Sequence, residues 1–241
     1  MDADDDARSA LRPPAAGAAR GAPGRPLGPD AAAILATEHW SLLGTRSLIW
    51  SEAMSRTTVF MTVLSAAVVA LALLADATGF GGHTTLLALA LLPVVLVLGI
   101  ATYIRLLQIN QEDLALVLAM NRLRHAYLQL APELEPYFTT GHHDDERGLT
   151  TTLLLGLEVG LHPWVHFFIT TPTIVATVDA ALATAIVAIA ARAVGATTEA
   201  TVAAGAATFL LVWGVLFLAQ RSILVLLRHR GARFPTPPAQ R

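Results

Sequence analysis

The chain has 241 residues, of which 54% are hydrophobic and 14% are charged. A typical soluble domain has about 45–50% apolar and about 25% charged residues, so this composition favours a membrane protein. The formal net charge of −2 argues against a general nucleic-acid-binding protein. The absence of cysteine excludes disulfides, thiolate metal sites and cysteine nucleophiles.

The first 29 residues are rich in Asp, Ala, Gly, Pro and Arg and contain almost no large apolar side chain. Such a segment buries too little surface to offset the entropy cost of ordering, so residues 1–29 are predicted to be a disordered tail. Asp30 is predicted to cap the helix that follows. No signal peptide is predicted, because the first strongly apolar run begins near Thr57.

Four apolar segments are predicted to cross the membrane as helices, which gives an all-α polytopic fold. These spans are residues 57–75, 85–103, 166–191 and 202–219. The first is close to the roughly 20 residues that a hydrocarbon core of about 30 Å requires. Residues 149–163 are apolar but short and interrupted by glycine, so they are predicted to form an interfacial or re-entrant helix.

The helical pattern continues beyond the first two spans. Residues 30–56 (the first arm) and 105–130 (the second arm) are predicted to be antiparallel helices, each about 39 Å long at about 1.5 Å per residue. The expected ion pairs join Glu38 to Arg122 and Arg124, and Asp113 to Arg46. The polar residues that follow the second arm, His142, His143, Asp144, Asp145 and Glu146, are predicted to form a solvated turn.

The distribution of arginine predicts that both termini face the cytoplasm. All 16 basic residues are arginine, and only Arg192 falls on the opposite side of the predicted spans. The arginine-only composition and the abundance of Ala and Leu are typical of a GC-rich bacterial genome, so we predict a bacterial plasma (inner) membrane protein. Residues 232–241 are predicted to be a disordered tail. The candidates for contact with anionic lipid are Arg221, Arg228, Arg230 and Arg233.

The third predicted span carries one carboxylate, Asp179, near its midpoint. An ionised side chain there costs about 2.5–3.5 kcal/mol, so Asp179 is expected to be paired, protonated or in contact with water. No predicted span contains a basic residue to neutralise it. Ala176, Ala180 and Ala183 flank it at helical spacing and would let another backbone approach closely. Two interpretations remain open: a ring or relay of carboxylates on a central axis, or a protonated acid that forms hydrogen bonds between helices.

A second candidate group is Glu158, His162 and His166, which recur every four residues. Imidazole and carboxylate at this spacing suit zinc or a similar divalent ion, and histidine could instead sense pH. Gly160 and Pro163 interrupt the helix, so histidines at the membrane interface without a ligand are the alternative.

Two stretches, EHWSLLGTRS at residues 38–47 and MNRLRHAYLQLAPELEPYFTTGHHDD at residues 120–145, resemble a family of uncharacterised four-helix membrane proteins of GC-rich bacteria. The resemblance extends from about residue 35 to the tail, and it implies the four-helix architecture.

A weaker likeness is to Orai-type calcium channels. It rests on four spans with both ends inside, on Ser55-Arg56-Thr57 at the entry to the first span, and on the basic helix at Arg221-Ser222. Such channels place an acidic ring within the first span, whereas residues 57–75 contain no acid here and Asp76 lies at the outer end.

These observations predict a homo-oligomeric membrane protein that conducts an ion or a proton, with Asp179 as its acidic site. The alternative is a non-conducting scaffold or sensor that recruits a cytoplasmic protein through the arms. An enzyme is not expected, because the sequence has no phosphate loop, nucleophile elbow or zincin motif. A metal-dependent membrane enzyme is a remote third interpretation. No cofactor is predicted, and the expected partners are the bilayer, a second copy of the chain, anionic lipid and an unknown cytoplasmic protein.

Overall fold

The computed structural model describes residues 28, 30–79, 81–153, 170–228 and 231–237, apart from the side chains of residues 222–228. Within these ranges all regular structure is helical. The helices are α1 (Ala31–Thr78), α2 (Gly82–Leu130), α3 (Glu146–Leu153), α4 (Thr171–Ala193) and α5 (Thr198–Arg228), and a 3₁₀ helix, Pro132–Tyr137, follows α2. The predicted disordered tail up to residue 27 and most of the predicted interfacial helix lie outside the described residues.

Four of the described helices, α1, α2, α4 and α5, are long and apolar enough to cross a membrane. This confirms the prediction of an all-helical chain with four candidate spans. The third of them, α4, begins at Thr171 rather than at the predicted residue 166. Thr170 is extended, with φ −72° and ψ 147°, and a proline lies in the first turn, where its missing N–H costs no helical hydrogen bond.

α1 and α2 form one long antiparallel hairpin. They contain 48 and 49 residues, so each arm continues its span without a break. The face of α1 that packs on α2 buries Ala53, Phe60 and Ala67, which recur every seven residues as in a left-handed coiled coil. The small alanines let the two backbones approach closely. That the arms lie in the cytoplasm stays a prediction.

The two ends of α1 are capped differently. Asp30 was predicted to cap the helix, but its side chain makes no capping hydrogen bond because its backbone is helical, with φ −79° and ψ −11°, rather than extended. At the other end Gly79 has a φ of 73°, which favours glycine, and its carbonyl accepts a hydrogen bond from Thr84 Oγ1 at 2.9 Å. This turn, Gly79 to Gly81, is called the loop end of the hairpin.

α4 packs between α2 and α5, and it buries its small residues against α2. Ala176, Ala180 and Ala183 are all less than 9% exposed. α5 lies against α4 and leaves Val202, Leu210 and Leu218 exposed. Such apolar faces are compatible with contact with lipid.

Candidate functional site

Asp179 lies in the packed core, between α1, α2 and α4. Its side chain is 0% exposed, and neither carboxylate oxygen has a hydrogen-bond partner among the described residues. It faces Gly99 of α2, where a Cβ atom would collide with Asp179 Oδ1 and lie 2.8 Å from Phe60 Cε2. The carboxylate therefore occupies space that exists only because position 99 has no side chain.

The predicted alanine face explains why Asp179 is enclosed. Ala176, Ala180 and Ala183 bring α4 close to α2, and glycine at position 99 provides the matching gap on α2. Gly99 was not predicted as part of the site, because its partner lies 80 positions away in the sequence. A glycine inside an apolar span was the only sequence signal for it.

Asp179 lies nearer to the arms than its place in the sequence predicts. Phe60 and Gly99 are each about one helical turn from the arm-side ends of spans 57–75 and 85–103, at about 1.5 Å per residue. The site therefore lies about one turn inside the arm end of the apolar region, rather than at the midpoint.

Hydroxyl groups follow Gly99 toward the arm end. Thr102 and Tyr103 are 4% and 1% exposed and lie three and four residues beyond it, on the same side of α2. The Tyr103 hydroxyl donates a hydrogen bond to the backbone carbonyl of Leu216 in α5, and Thr102 Oγ1 donates to Leu98 O at 2.8 Å. The Tyr103 hydrogen bond therefore connects the arm end of α2 to α5, whereas the Thr102 hydrogen bond lies within α2.

A second polar contact joins α4 to α5 at the same level. Thr173 Oγ1 donates to Gln220 Oε1 at 3.3 Å, and Gln220 Nε2 donates to Thr170 Oγ1 at 3.2 Å. Trp213 Nε1 donates to Thr177 Oγ1 at 3.2 Å. The arm-side half of the α4–α5 pair is therefore held by side-chain hydrogen bonds that the sequence analysis did not anticipate.

The opposite side of Asp179 is apolar. Val95, Leu92 and Ala88 are buried on α2 on the loop-end side of Gly99, and Ala88 lies about 16 Å from Gly99 at about 1.5 Å per residue. Beyond them lies a pocket of about 610 Å³, whose lining includes Asp76. This pocket ends at Ala88, so it does not reach Asp179.

An ion-pair network crosses between the arms about two turns from Gly99. Glu52 accepts hydrogen bonds from two arginines. Arg105 donates to both carboxylate oxygens of Glu52 at 2.9 Å each, and Arg56 donates to one of them at 2.7 Å. Arg105 also donates to Glu112 at 2.8 Å. The hydrogen bonds from Arg105 and then Arg56 lower the pKa of Glu52 to about 2.

The structure brings together Arg46 and Asp113, one of the two expected arm contacts. Arg46 Nε donates to Asp113 Oδ1 at 2.6 Å, and Trp50 Nε1 donates to the same oxygen at 3.0 Å. The Asp113 side chain is 8% exposed, so this pair is largely shielded from water.

The structure does not bring Glu38 to either arginine of the second arm. Arg122 Nε instead donates to Asp144 Oδ2 at 2.6 Å, and Arg124 donates to Asn121 Oδ1 at 2.8 Å. The expected pairing assumed that both arginines reach Glu38, but Arg122 pairs with the segment after the second arm, and Arg124 binds Asn121 of its own helix. Among the described residues Glu38 forms no ion pair.

The predicted solvated turn is instead a contact surface. Asp144 is 5% exposed and accepts hydrogen bonds from the backbone N–H groups of Arg233 and Phe234. Residues 232–237, which belong to the predicted disordered tail, include the segment that lies against it. Neither segment has a helical period or an apolar run, so local sequence patterns did not predict that they meet.

The other predicted site residues fall into two groups. Glu158, His162, His166 and Arg230 lie outside the described residues, as does the side chain of Arg228. Arg221 and Arg233 are described and exposed, as a contact with lipid headgroups requires. In the part of the chain that the structure describes, no three His, Asp or Glu side chains form a group that could hold a metal ion.

Comparisons with protein-family models, with curated proteins and with solved structures found no match for this chain. The resemblance to four-helix bacterial proteins and to Orai-type channels therefore stays a prediction.

Proposed function

We propose that this chain is an integral membrane protein that conducts protons, with Asp179 as its intramembrane proton-binding site. The observation that carries the proposal is the complete burial of a carboxyl group whose two oxygens have no hydrogen-bond partner among the described residues. An ionised carboxylate in such surroundings costs several kcal/mol, so the packed state fits the protonated acid. Loss of the proton then requires α2 and α4 to move apart and admit water.

The surroundings of Asp179 favour a proton over a metal cation. A calcium ion takes about 6–8 oxygen ligands, whereas a proton needs one carboxylate oxygen. Gly99 and the ring of Phe60 border the carboxylate and supply no side-chain oxygen, and neither carboxylate oxygen has a hydrogen-bond partner among the described residues. Calcium conduction, which the likeness to Orai-type channels implies, has no support in this geometry.

The two sides of the site differ in the polarity of their side chains. Toward the arms, Thr102 and Tyr103 lie within about one turn of Gly99, and the Glu52–Arg105 ion pair follows. Toward the loop end, apolar packing separates the site from the pocket near Asp76. We infer that the proton exchanges with the arm side when α2 and α4 part near Thr102 and Tyr103, and with the loop side in a second conformation.

The burial of Asp179 within one chain does not fit the predicted ring of carboxylates between copies. A ring of Asp179 carboxylates on an axis between copies requires the side chain to face away from its own chain, but it packs against α1 and α2. We therefore propose one proton site in each chain, whatever the number of copies in the assembly.

Proton flux into liposomes tests the proposal. Purified protein is reconstituted with a pH-sensitive dye inside the vesicles, and a potassium gradient with valinomycin supplies the driving force. The wild type and Glu133→Gln, which alters an exposed carboxylate outside the predicted spans, should acidify the vesicles well above the protein-free rate. Asp179→Asn keeps the shape of the side chain but cannot exchange a proton, so its rate should fall to background. Background rates for all three proteins, or an undiminished rate for Asp179→Asn, would refute the proposal.

A scaffold or self-associating membrane protein is the second candidate, and exposed apolar side chains on the first arm favour it. The side chains of Ile34, Trp40 and Leu48 are 69%, 74% and 72% exposed. They lie outside the apolar spans, so lipid would not cover them. Such side chains fit contact with a second copy or with another protein. Replacing Trp40 and Leu48 with serine should reduce the assembly to a smaller species in light scattering. An unchanged mass, together with an unchanged set of co-purified proteins, would count against this role.

A further inference from the structure

The turn after the second arm holds the chain's own C-terminal segment by a dense set of hydrogen bonds. Asp144 Oδ2 accepts the N–H of Arg233 at 3.0 Å, and Asp144 Oδ1 accepts the N–H of Phe234 at 2.7 Å. Asp145 accepts the N–H of Thr236 at 2.7 Å and its hydroxyl at 2.9 Å. The residue between them, Pro235, has no N–H. Every backbone N–H that residues 233–236 possess therefore donates to one of two adjacent carboxylates.

The contact continues through the backbone and the side chain of Phe234. Its carbonyl accepts the N–H of Asp144 at 3.3 Å, and His143 Nδ1 lies 3.3 Å from the same oxygen. Its ring stacks on His125 of α2, with centroids 4.3 Å apart and an interplanar angle of 25°. Carboxylates thus bind the backbone of this segment, and an imidazole ring packs against its one aromatic side chain.

The turn is held in shape independently of the segment. Asn121 of α2 is 0% exposed, and its amide donates to the carbonyls of His143 at 2.9 Å and Gly148 at 3.2 Å. The N–H of Gly148 donates to Asp145 Oδ1 at 2.8 Å. A Cβ atom on Gly148 would collide with the backbone of His143, so the turn closes on itself as only glycine permits. The carboxylates are therefore positioned before the segment binds.

We propose that residues 141–148, together with His125, form a binding site for a non-helical Arg-Phe-Pro-Thr segment, and that the C-terminal segment fills this site as a latch between the second arm and the end of α5. The chemical class of ligand is a short peptide with two successive free N–H groups, an aromatic residue, a proline and a hydroxyl residue. A helix or a proline-free strand does not present this pattern of donors. A peptide of the same sequence in trans should compete with the latch.

Hydrogen–deuterium exchange on the full chain tests the latch. The amides of residues 233, 234 and 236 should be protected in the wild type and in Glu133→Gln, which alters an exposed carboxylate in the neighbouring 3₁₀ helix. Phe234→Ala lies in the latch itself and leaves the turn intact, so it tests the site even if a variant of the turn fails to fold. Exchange should become at least tenfold faster in Asp144→Asn and in Phe234→Ala. Equal protection in all four proteins would overturn the proposal.

Binding in trans tests the specificity of the site. A fluorescent peptide with the sequence of residues 231–241 should bind Phe234→Ala protein, whose own latch is released, at least tenfold more tightly than the wild type. The same peptide with alanine in place of its phenylalanine should not bind. Equal binding to both proteins, or equal binding of both peptides, would show that the turn is not the site. These readouts do not depend on proton flux, so they stand or fall separately from the proposed function.

Discussion

The Asp179 carboxylate fills the space that a side chain on Gly99 would occupy, so the two positions on α4 and α2 are complementary in shape. Gly99→Ala should therefore destabilise the packed helices. Overpacking a core of this kind costs about 1–3 kcal/mol, and a lowered midpoint of thermal unfolding in detergent measures it. Gly44→Ala is the matched control, because a Cβ there meets open space and alanine favours an exposed helix by about 1 kcal/mol.

Shape complementarity also predicts that the two positions are not independent. In an Asp179→Ala background the carboxylate is gone, so the added methyl group of Gly99→Ala loses its closest clash and still meets Phe60 Cε2 at 2.8 Å. The loss of stability from Gly99→Ala should be smaller in that background than in the wild type. Equal losses in the two backgrounds would mean that the two side chains do not share the same space.

Asp113 should be the most important polar residue between the arms. Its largely buried carboxylate accepts hydrogen bonds from both Arg46 and Trp50. Asp113→Ala leaves two donors without their partner and should cost about 2 kcal/mol. Glu112→Ala removes a neighbouring carboxylate that is 45% exposed, and it should cost less than about 1 kcal/mol. Chemical unfolding followed by tryptophan fluorescence measures both, and equal costs would contradict the difference in burial.

Glu52 should make the stability of the arms depend on pH in the acid range. Because Arg105 and Arg56 lower the pKa of Glu52 from 4.5 to about 2, its contribution is complete above pH 4.5 and is lost as the pH falls toward about 2. Glu52→Gln should therefore unfold at a lower temperature than the wild type at neutral pH, and the difference should shrink below pH 4.5.

Glu38→Gln is the control for this prediction. Glu38 is exposed and forms no ion pair within the described part of the chain. Its replacement should leave the midpoint of thermal unfolding unchanged at each pH. A difference between Glu52→Gln and the wild type that stays constant from neutral to acid pH would show that the ionised carboxylate is not responsible.

The sequence predicts the elements of this fold better than their contacts. Hydropathy locates the spans because a bilayer of fixed thickness demands uninterrupted apolar residues, and helical continuity beyond residues 57 and 103 predicts the arms. Asp179 is conspicuous because a lone carboxylate is costly in a span. Its partner Gly99 is not conspicuous in the sequence, because the contact between α2 and α4 depends on the packing of small residues along both helices.

The contact between the turn and the latch was also not predictable from local sequence patterns. Asp144 and Phe234 are 90 positions apart, and no periodic pattern relates the turn to the tail. Two adjacent acids in a polar turn are usually solvated, and only their fixed geometry makes them acceptors for a second segment. The one available signal was a large aromatic residue followed by proline in an otherwise polar tail.

Acidification should release the latch. Burial, and then the neighbouring His143 and His142, lowers the pKa of His125 below its ordinary value of 6.5, although Asp144 opposes this. Burial and His143 likewise lower the pKa of His142, with Glu135 opposing. Because the docked state prefers neutral imidazoles, their contribution is complete above pH 6.5 and is lost as the pH falls through the lowered values.

The carboxylates of the latch do not titrate in the same range. Burial raises the pKa of Asp144, but hydrogen bonds from the N–H groups of Arg233 and Phe234 and from Arg122 outweigh it and keep the pKa below the ordinary 3.8. For Asp145, the N–H groups of Gly148 and Thr236 likewise outweigh burial and lower its pKa. Release between pH 6.5 and pH 3.8 therefore reports the histidines.

Amide exchange of residues 231–237, corrected for the intrinsic effect of pH, measures this release at about pH 8 and about pH 5. The wild type should lose protection at the lower pH. His125→Phe keeps an aromatic face against Phe234 but cannot be protonated, so it should keep most of its protection. His83 lies at the loop end of the hairpin, far from the turn, and His83→Gln should behave as the wild type. If His125→Phe loses protection as fully as the wild type does, protonation of His125 is not what opens the latch.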